Sequence, residues 1–330
     1  MTIPPQLWSF TEKHHRFFKF KECLAADQSP CAGQIVRAHI ISRSQLKQIA
    51  RDGHVVAVPT SLLAIMKMQR TGFEAKEIGV GDFSTMNCFC AAHDKALFAP
   101  VEDAPLICSP EQLALLHYRA IAAEFYQRNS QLESAASELD DESKDLQNVR
   151  FVWIAMCNEQ ASKEAHWALV RTEMLIAARR FNELGSLVVR FHAVPAVMAA
   201  GAFRPIFDFA ARRVQRPVDF CCYVAMHLLA ADGGAVLAFT WLRRDLLAEQ
   251  FVRSFAALPR EQMASLAVQC AFDHVEFTCM SDSWWSGLKR PMRGSLLERV
   301  RRANSLSYRR SPRCLSYRIH YADWPVAEVR

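Results

Sequence analysis

The chain has 330 residues, a net charge of +6 and eleven cysteines. This length exceeds that of one typical domain, so more than one hydrophobic core is expected. No run of residues has the length and apolarity of a membrane span, which argues against transmembrane function classes. The first twenty residues are basic and aromatic, without the apolar segment of a secretory signal. We therefore expect a cytoplasmic protein with no membrane partner.

Most of the cysteines are expected to be reduced thiols that fill the core, because their number is odd and their spacing is irregular. This interpretation covers Cys108, Cys157, Cys221, Cys222, Cys270, Cys279 and Cys314. The N-terminal cysteines differ, because they are grouped with histidines. The stretch from Cys23 to Asp94 is therefore the most informative part of the sequence.

Two cysteine-bearing segments flank this stretch and predict a zinc site. Structural zinc takes four nitrogen or sulfur ligands, which usually come as two closely spaced pairs. Cys23 and Cys31 form one pair on a turn-rich loop, and Cys90 and His93 form the other at the start of a helix. Cys88 competes with Cys90, but only Cys90 stands three residues before His93. We therefore predict that Cys23, Cys31, Cys90 and His93 bind a structural zinc ion.

The segments between the two pairs predict short strands and helices. Residues 35–41 have the β-branched content of a strand, and Ser42 is placed to cap a following helix. Residues 54–58 predict a second strand, and Cys90 opens a helix that runs through Phe98. Prolines then mark the end of a first domain, residues 1–105.

The remainder of the chain predicts a larger α+β region. Residues 106–200 form a helical segment, with helices over 113–128 and 152–184 and an acidic connection over 129–148. Residues 201–330 are predicted to contain strands, including a β-hairpin that turns at Asp232-Gly233-Gly234. The fold class is therefore α+β throughout, with a zinc-containing N-terminal domain.

The C-terminal region contains a strongly basic segment. Between Lys289 and Arg318 there are ten basic residues against the single acid Glu298, so this segment carries +9 and the rest of the chain −3. Such a segment favours a polyanionic partner, although a solvated basic surface is the alternative. The candidate nucleic-acid contacts are Arg37, Arg299, Arg302, Arg309, Arg310 and Arg313.

The N-terminal motifs resemble the HNH, or ββα-metal, nuclease family. Its pattern is a cysteine pair, a strand that ends in a histidine followed by apolar residues, an asparagine-bearing loop, and a Cys-x-x-Cys-His motif on a helix. Residues 37–42 (Arg-Ala-His-Ile-Ile-Ser) are similar to the strand, and residues 89–94 (Phe-Cys-Ala-Ala-His-Asp) to the helix motif. His93 stands in the place of the second zinc cysteine and Asp94 in that of the final histidine. The resemblance covers about residues 20–102.

This resemblance implies a mechanism with two different metals. His39 would be the general base, and a neutral imidazole can accept a proton from water at neutral pH. Asp94 would help to hold a catalytic Mg²⁺ or Mn²⁺, while zinc is structural. Asn87 would orient His39 or the substrate, although Ser84 or Thr85 could serve instead. The family commonly has Asp or His directly before the base, where this chain has Ala38.

We therefore expect an HNH-like endonuclease that cuts or nicks DNA, with RNA as a further substrate class. A nuclease with a large appended domain suggests a bacterial restriction or phage-defence effector, with protein partners of a defence system. The alternative is a non-catalytic, zinc-stabilised module that binds nucleic acid or protein.

Overall fold

The structure is a computed structural model that describes residues 22–25, 31, 33–59, 62–139, 148–216, 220, 222–304 and 310–330. Its architecture is α+β, as predicted. The predictions for Cys221 and Arg309, and for the part of the acidic connection over 140–147, lie outside the described residues.

In chain order the elements are β1 (Ile35–His39), α1 (Arg43–Leu46), β2 (His54–Ala57), α2 (Leu62–Thr71), β3 (Lys76–Gly79), β4 (Thr85–Cys90), α3 (Ala91–Glu102), α4 (Pro110–Leu139), α5 (Asn148–Ala177), a 3-10 turn (Phe181–Glu183), β5 (Leu184–Phe191), β6 (Val197–Phe203), β7 (Val224–Ala231), β8 (Gly234–Leu242), α6 (Leu246–Ala256), α7 (Arg260–His274), β9 (Phe277–Met280), α8 (Asp282–Gly287), α9 (Arg290–Ala303) and β10 (Val326–Val329).

Strands β1 and β4 pair with each other, antiparallel, and helix α3 follows β4 directly. We call β1, β4 and α3 the ββα unit. Cys90 ends β4 and caps α3, because its Sγ accepts a hydrogen bond from the backbone N–H of His93 at 3.4 Å. Ser42 caps α1 in the same way through the N–H of Gln45. The capped helix at Cys90 is therefore confirmed, although it continues to Glu102.

A second sheet has eight strands in the order β10-β5-β8-β7-β6-β9-β2-β3, and every neighbouring pair is antiparallel. The predicted hairpin is confirmed, since β7 and β8 pair in register from Ala225↔Thr240 to Ala231↔Gly234. Gly233 lies in the turn with a φ of +79°, a conformation that glycine adopts without steric cost.

Helices cover both faces of the eight-stranded sheet. Alternate residues of a strand point to opposite faces. On β6, Met198 and Ala200 pack with α4 in one core, whereas Val197 and Ala199 pack with α6 and α7 in the other. The ββα unit joins the first core, where Phe89, Phe98 and Tyr118 form an aromatic cluster.

Two predictions about chain organisation are corrected by this sheet. The predicted boundary at residue 200 falls inside β6, so it cuts a central strand. Strands β2 and β3, from the predicted domain 1–105, extend the large sheet through the pairing of Val56 with Met280. The residues between Cys23 and Asp94 are therefore divided between two sheets.

A third prediction, of a helix that reaches Leu184, is also corrected. The helix ends at Ala177, and β5 begins at Leu184.

The connection from α3 to α4 is fixed by one buried side chain. The Gln112 amide nitrogen donates to the carbonyl oxygens of Pro100 and Pro105, and its oxygen accepts from the N–H groups of Ile107 and Ser109. These bonds satisfy backbone groups in the last turn of α3 and in the connection to α4. Within the described part of the chain, no helix combines the length and apolarity that crossing a bilayer requires.

Candidate metal centre and nuclease site

The structure brings the four predicted zinc ligands together. One ligand atom from each of Cys23, Cys31, Cys90 and His93 lies within 4.8 Å of the others. The Nδ1 atom of His93 is 3.2 Å from the Cys23 Sγ and 3.3 Å from the Cys90 Sγ. Zinc–sulfur bonds of about 2.3 Å and zinc–nitrogen bonds of about 2.0 Å place tetrahedral ligands roughly 3.5–3.8 Å apart. The cluster therefore has the dimensions of a structural zinc site.

Backbone hydrogen bonds hold the cluster in shape. The N–H of Leu24 donates to the Cys88 carbonyl at 2.9 Å, which fixes the first loop against β4. The N–H of Cys90 donates to the Cys23 Sγ at 3.2 Å. Ala91 N–H bonds the Gln34 carbonyl and so closes the unit around β1. These bonds orient the sulfur atoms independently of any metal.

The chemistry of the donor set suits a soft divalent cation. Three thiols and one imidazole match zinc and do not match Mg²⁺, which prefers oxygen ligands. Burial raises the pKa of the Cys23 thiol to about 11, and the backbone hydrogen bond from Cys90 opposes this shift. A bound cation displaces the thiol protons, so binding is coupled to pH. The cluster could hold a metal ion such as zinc.

Cys88 lies outside the cluster. Its side chain is fully buried, and burial raises the pKa of its thiol far above the ordinary value. It is the residue before Phe89 on β4 and faces the core between the ββα unit and α4. The choice of Cys90 over Cys88 as a ligand agrees with this geometry.

His39 ends β1 and is held by the loop between β3 and β4. Its Nε2 lies 3.0 Å from the carbonyl oxygen of Val80. A carbonyl only accepts, so Nε2 carries the proton and Nδ1 keeps its lone pair. Burial lowers the pKa of His39 below 6.5, the Val80 carbonyl opposes this shift, and Arg43 adds to it. The ring is therefore neutral at pH 7 and has a basic nitrogen.

Ser84 braces the backbone that follows His39. The Ser84 hydroxyl exchanges hydrogen bonds with the N–H and the carbonyl of Ile41, at 3.2 and 3.3 Å. The N–H of Ile40 bonds the Ser84 carbonyl. Ser84 has a φ of +55°, a strained conformation for a residue with a side chain. Of the alternatives to Asn87, the geometry favours Ser84 as the residue that positions the His39 segment.

Asn87, predicted to orient His39 or the substrate, has a contact with α4. Its side chain is within hydrogen-bonding reach of the Tyr126 hydroxyl on α4. The ring of His39 is instead oriented by the Val80 carbonyl. Thr85 is paired with His39 across the two strands, but its hydroxyl bonds Arg37 and the Asp82 carbonyl. Asn87 is therefore a link between β4 and α4.

Asp94 is one residue beyond the zinc cluster and has an unsatisfied oxygen. Its Oδ1 is buried without a hydrogen-bond partner. Burial raises the pKa of Asp94, the Arg119 guanidinium opposes this shift, and Glu102 adds to it. Glu102 forms an ion pair with Arg119, with 2.7 Å between Oε1 and Nη2. The Arg119 guanidinium carbon also lies 3.7 Å from the centre of the Phe98 ring. Glu102 is therefore committed to Arg119 and is not a free metal ligand.

Two arginines lie near His39, and they differ in whether the guanidinium forms an ion pair. Arg37 pairs with Asp82 at 3.0 Å, and both side chains are more than half exposed. Arg43, on α1, was not predicted as a site residue. It is exposed, and within the described residues its guanidinium has no hydrogen bond or ion pair. Its Nη2 lies 3.0 Å from the position that a Cβ on Gly81 would occupy. Arg43 is thus an available cation next to the loop that holds His39.

The basic C-terminal arginines do not form one surface. Arg299 is largely buried, where it pairs with Asp273 and donates to the Cys314 carbonyl. Its prediction as a nucleic-acid contact is corrected, because its guanidinium is committed inside the fold. Arg302 pairs with Glu298 at 2.7 Å. Arg310 is partly buried and lines a cavity, whereas Arg302 and Arg313 are exposed.

No protein-family model, curated protein or solved structure matches the chain. What the chain does must therefore be argued from the geometry of its own residues.

Proposed function

We propose that the protein is a metal-dependent, HNH-like endonuclease that nicks DNA. One observation carries the proposal: the Nε2 of His39 bonds the Val80 carbonyl and leaves the Nδ1 lone pair available, on the same ββα unit that holds the thiol and imidazole cluster at its Cys90 end. A zinc cluster on its own would need no oriented histidine on the neighbouring strand. The predicted restriction or phage-defence setting stays a prediction.

His39 would act as the general base. With its pKa lowered by burial, the imidazole is neutral at pH 7 and can accept a proton from water at Nδ1. The Val80 carbonyl then stabilises the charged ring that forms, because it already accepts the Nε2 proton. The strained Ser84 segment keeps the ring in this orientation.

Asp94 offers the orphaned Oδ1 as one ligand for a hard divalent cation, and Ala38 offers none. When bound, Mg²⁺ or Mn²⁺ supplies positive charge that stabilises the scissile phosphate and the leaving oxygen. The exposed Arg43 guanidinium is suited to contact a neighbouring phosphate of the backbone. Phosphate contacts of this kind carry no sequence information, which fits a nicking enzyme of broad specificity.

A second candidate function is a non-catalytic, zinc-stabilised module that binds nucleic acid or protein. It is favoured by Ala38 and by the single carboxylate at the site. Among the described residues, the cysteine and histidine cluster is the only group of three or more side chains placed to share a metal ion. This candidate predicts zinc binding and salt-sensitive DNA retention without cleavage.

The test is a supercoiled-plasmid nicking assay with Mg²⁺ or Mn²⁺. We expect nicking by the wild type and a loss of at least about 100-fold in His39→Ala, because the general base is removed. His54→Ala is the matched control, since His54 is exposed on β2 and bonds only the Asp52 carbonyl. Full cleavage by His39→Ala would refute the assignment of the base. No cleavage by the wild type with either metal, together with DNA retention, would establish the non-catalytic module.

A further inference from the structure

Three members of the thiol and imidazole cluster are buried, and one is exposed. Cys23, Cys90 and His93 are 6%, 0% and 4% exposed. Cys31 is an exposed residue, and it precedes β1 without belonging to a helix or strand. A reagent that approaches the cluster from solvent therefore meets the Cys31 sulfur first.

The exposed sulfur is a thiolate in the metal-bound state of the cluster. When bound, zinc takes cysteine in its deprotonated form, so its ligands include thiolates at neutral pH. The thiolate is the form of cysteine that peroxides oxidise, and exposure selects which thiolate reacts. Cys157 on α5 is also exposed, but it stands outside the cluster and has no metal to remove its proton. Cys31 is therefore the preferred site of oxidation.

A second sulfur lies within reach of Cys31. The Sγ atoms of Cys23 and Cys31 are no more than 4.8 Å apart. A disulfide bond is about 2.05 Å long, so the two atoms need to approach by at most about 3 Å. Both residues precede β1, so this movement can leave the pairing of β1 with β4 in place.

Cys90 is less suited to bond Cys31, because its position is fixed twice. Cys90 is paired with Ile35 at the end of β4, and its Sγ accepts the N–H of His93 as the cap of α3. A bond to Cys31 would withdraw this sulfur from the helix cap. Cys23 lies in no helix or strand and has no such role.

We propose that Cys31 is a site of oxidation by hydrogen peroxide, that Cys23 is its resolving thiol, and that the disulfide between them expels the zinc ion. The inference rests on the zinc cluster and is independent of DNA cleavage. Cys90 and His93 would remain as two ligands, whereas a structural zinc ion takes four.

The reaction has two steps, both on sulfur. The Cys31 thiolate attacks one oxygen of the peroxide: an S–O bond forms, the O–O bond breaks, and hydroxide leaves. The sulfur is thereby oxidised to a sulfenic acid and the peroxide is reduced. The Cys23 thiolate then attacks the Cys31 sulfur, so that an S–S bond forms, the S–O bond breaks, and a second hydroxide leaves.

The test exposes the zinc-loaded, full-length protein to hydrogen peroxide and follows the released metal with a chromogenic zinc chelator. We expect release of one zinc ion per chain and a Cys23–Cys31 disulfide in peptides mapped by mass spectrometry without reduction. A thiol reductant with added zinc should reverse both changes. A chain that takes up no zinc or retains it under peroxide, or a disulfide other than Cys23–Cys31, would overturn the proposal. Failure of the nuclease function would leave these results unchanged.

The order of the two steps is measured on the wild type with a limiting amount of peroxide and dimedone, which traps sulfenic acids. Cys31 should carry at least about tenfold more label than Cys23, Cys90 or Cys157. Cys23→Ser removes the resolving thiolate and should increase the label on Cys31 further. Cys157→Ser is the matched control with an exposed cysteine removed, and it should change zinc release less than about twofold. Labelling of Cys157 or a buried cysteine ahead of Cys31 would overturn the assignment.

Discussion

The ββα unit and the eight-stranded sheet differ in how their buried polar side chains are arranged. The two strands of the unit have five and six residues, and its buried polar groups converge on one cluster of thiols and an imidazole. Strands β5, β7 and β8 have eight or nine residues and lie between two apolar cores. The polar groups buried in that region come from several elements and include His227 and Thr240 in the sheet and His117 on α4.

This difference teaches that the two regions depend on different solution conditions. A metal bound by the cluster would displace the thiol protons, so under the proposed zinc site the stability of the unit depends on metal. His117 on α4 and His227 on β7 are neutral because burial lowers the pKa of His117 to about 4 and that of His227 to about 3. The stability of the sheet therefore depends on protons. The predictions below separate the two dependences.

The largest effect is expected at the zinc ligands. Cys90→Ala should abolish the binding of one zinc ion per chain and lower the unfolding free energy by roughly 5 kcal/mol, because a structural metal contributes directly to folding. Metal content is measured by atomic absorption and stability by urea unfolding.

Cys88→Ala is the matched control, since Cys88 is equally buried and lies two residues away but outside the cluster. It should keep its zinc and lose only the free energy of a small cavity. Zinc loss in Cys88→Ala with retention in Cys90→Ala would reverse the assignment of the ligands.

An intermediate effect on the unfolding free energy is expected when the pH is lowered. The pKa of His227 in the folded state is about 3, below the ordinary 6.5, so the unfolded chain binds its proton first as the pH falls. Stability from this group is present above pH 6.5 and is lost towards pH 3, at about 2 kcal/mol by pH 5. His227→Leu should therefore lose about 2 kcal/mol less than the wild type between pH 7 and pH 5.

The measurement is urea unfolding of both proteins at the two pH values, with zinc present throughout. His54→Leu serves as the control, because His54 is exposed and its substitution leaves the pH dependence unchanged. An identical pH dependence in His227→Leu and the wild type would mean that the protonation of His227 does not limit the acid stability of the sheet.

The smallest effect is expected at Arg43, where only one phosphate contact is removed. Arg43→Ala should reduce nicking about tenfold at low salt, with a smaller reduction at high salt, because the contact is electrostatic. Lys47→Ala is the control, as Lys47 follows α1 and is exposed but does not influence His39. Equal losses in the two variants would indicate a general effect of charge and no contact specific to Arg43.

Sequence reasoning succeeded where the signal was local. The cluster of cysteines and a histidine that could hold a metal follows from two short spacings, and the hairpin follows from Asp232-Gly233, whose conformation is set by neighbouring residues. The α+β class and the helix within α4 follow from the periodicity of apolar residues. Each of these features is decided within a few residues of the chain.

The failures occurred where the deciding partner is distant. Strands β5 and β6 are buried on both faces, so they lack the alternation that identifies a half-buried strand. The burial of Arg299 depends on Asp273, which is 26 residues away on another helix. The Tyr126 contact of Asn87 arises in the same way, from elements that meet only in the folded chain.

The pairing of Val56 with Met280 has a consequence for synthesis of the protein. A chain that leaves the ribosome from its N-terminus can form the β1–β4 pair early, but β2 and β3 must wait for β9 before they join the large sheet. The Gln45 side-chain amide bonds the carbonyl and the N–H of Ala230 at 3.0 and 2.8 Å. These two bonds can likewise form only after β7 has been synthesised. The segment after His39 therefore reaches its final position only when most of the chain has been made. Under the proposed function, a nascent or truncated chain would carry His39 without this support, and cutting would be delayed until β7 and β9 have been made.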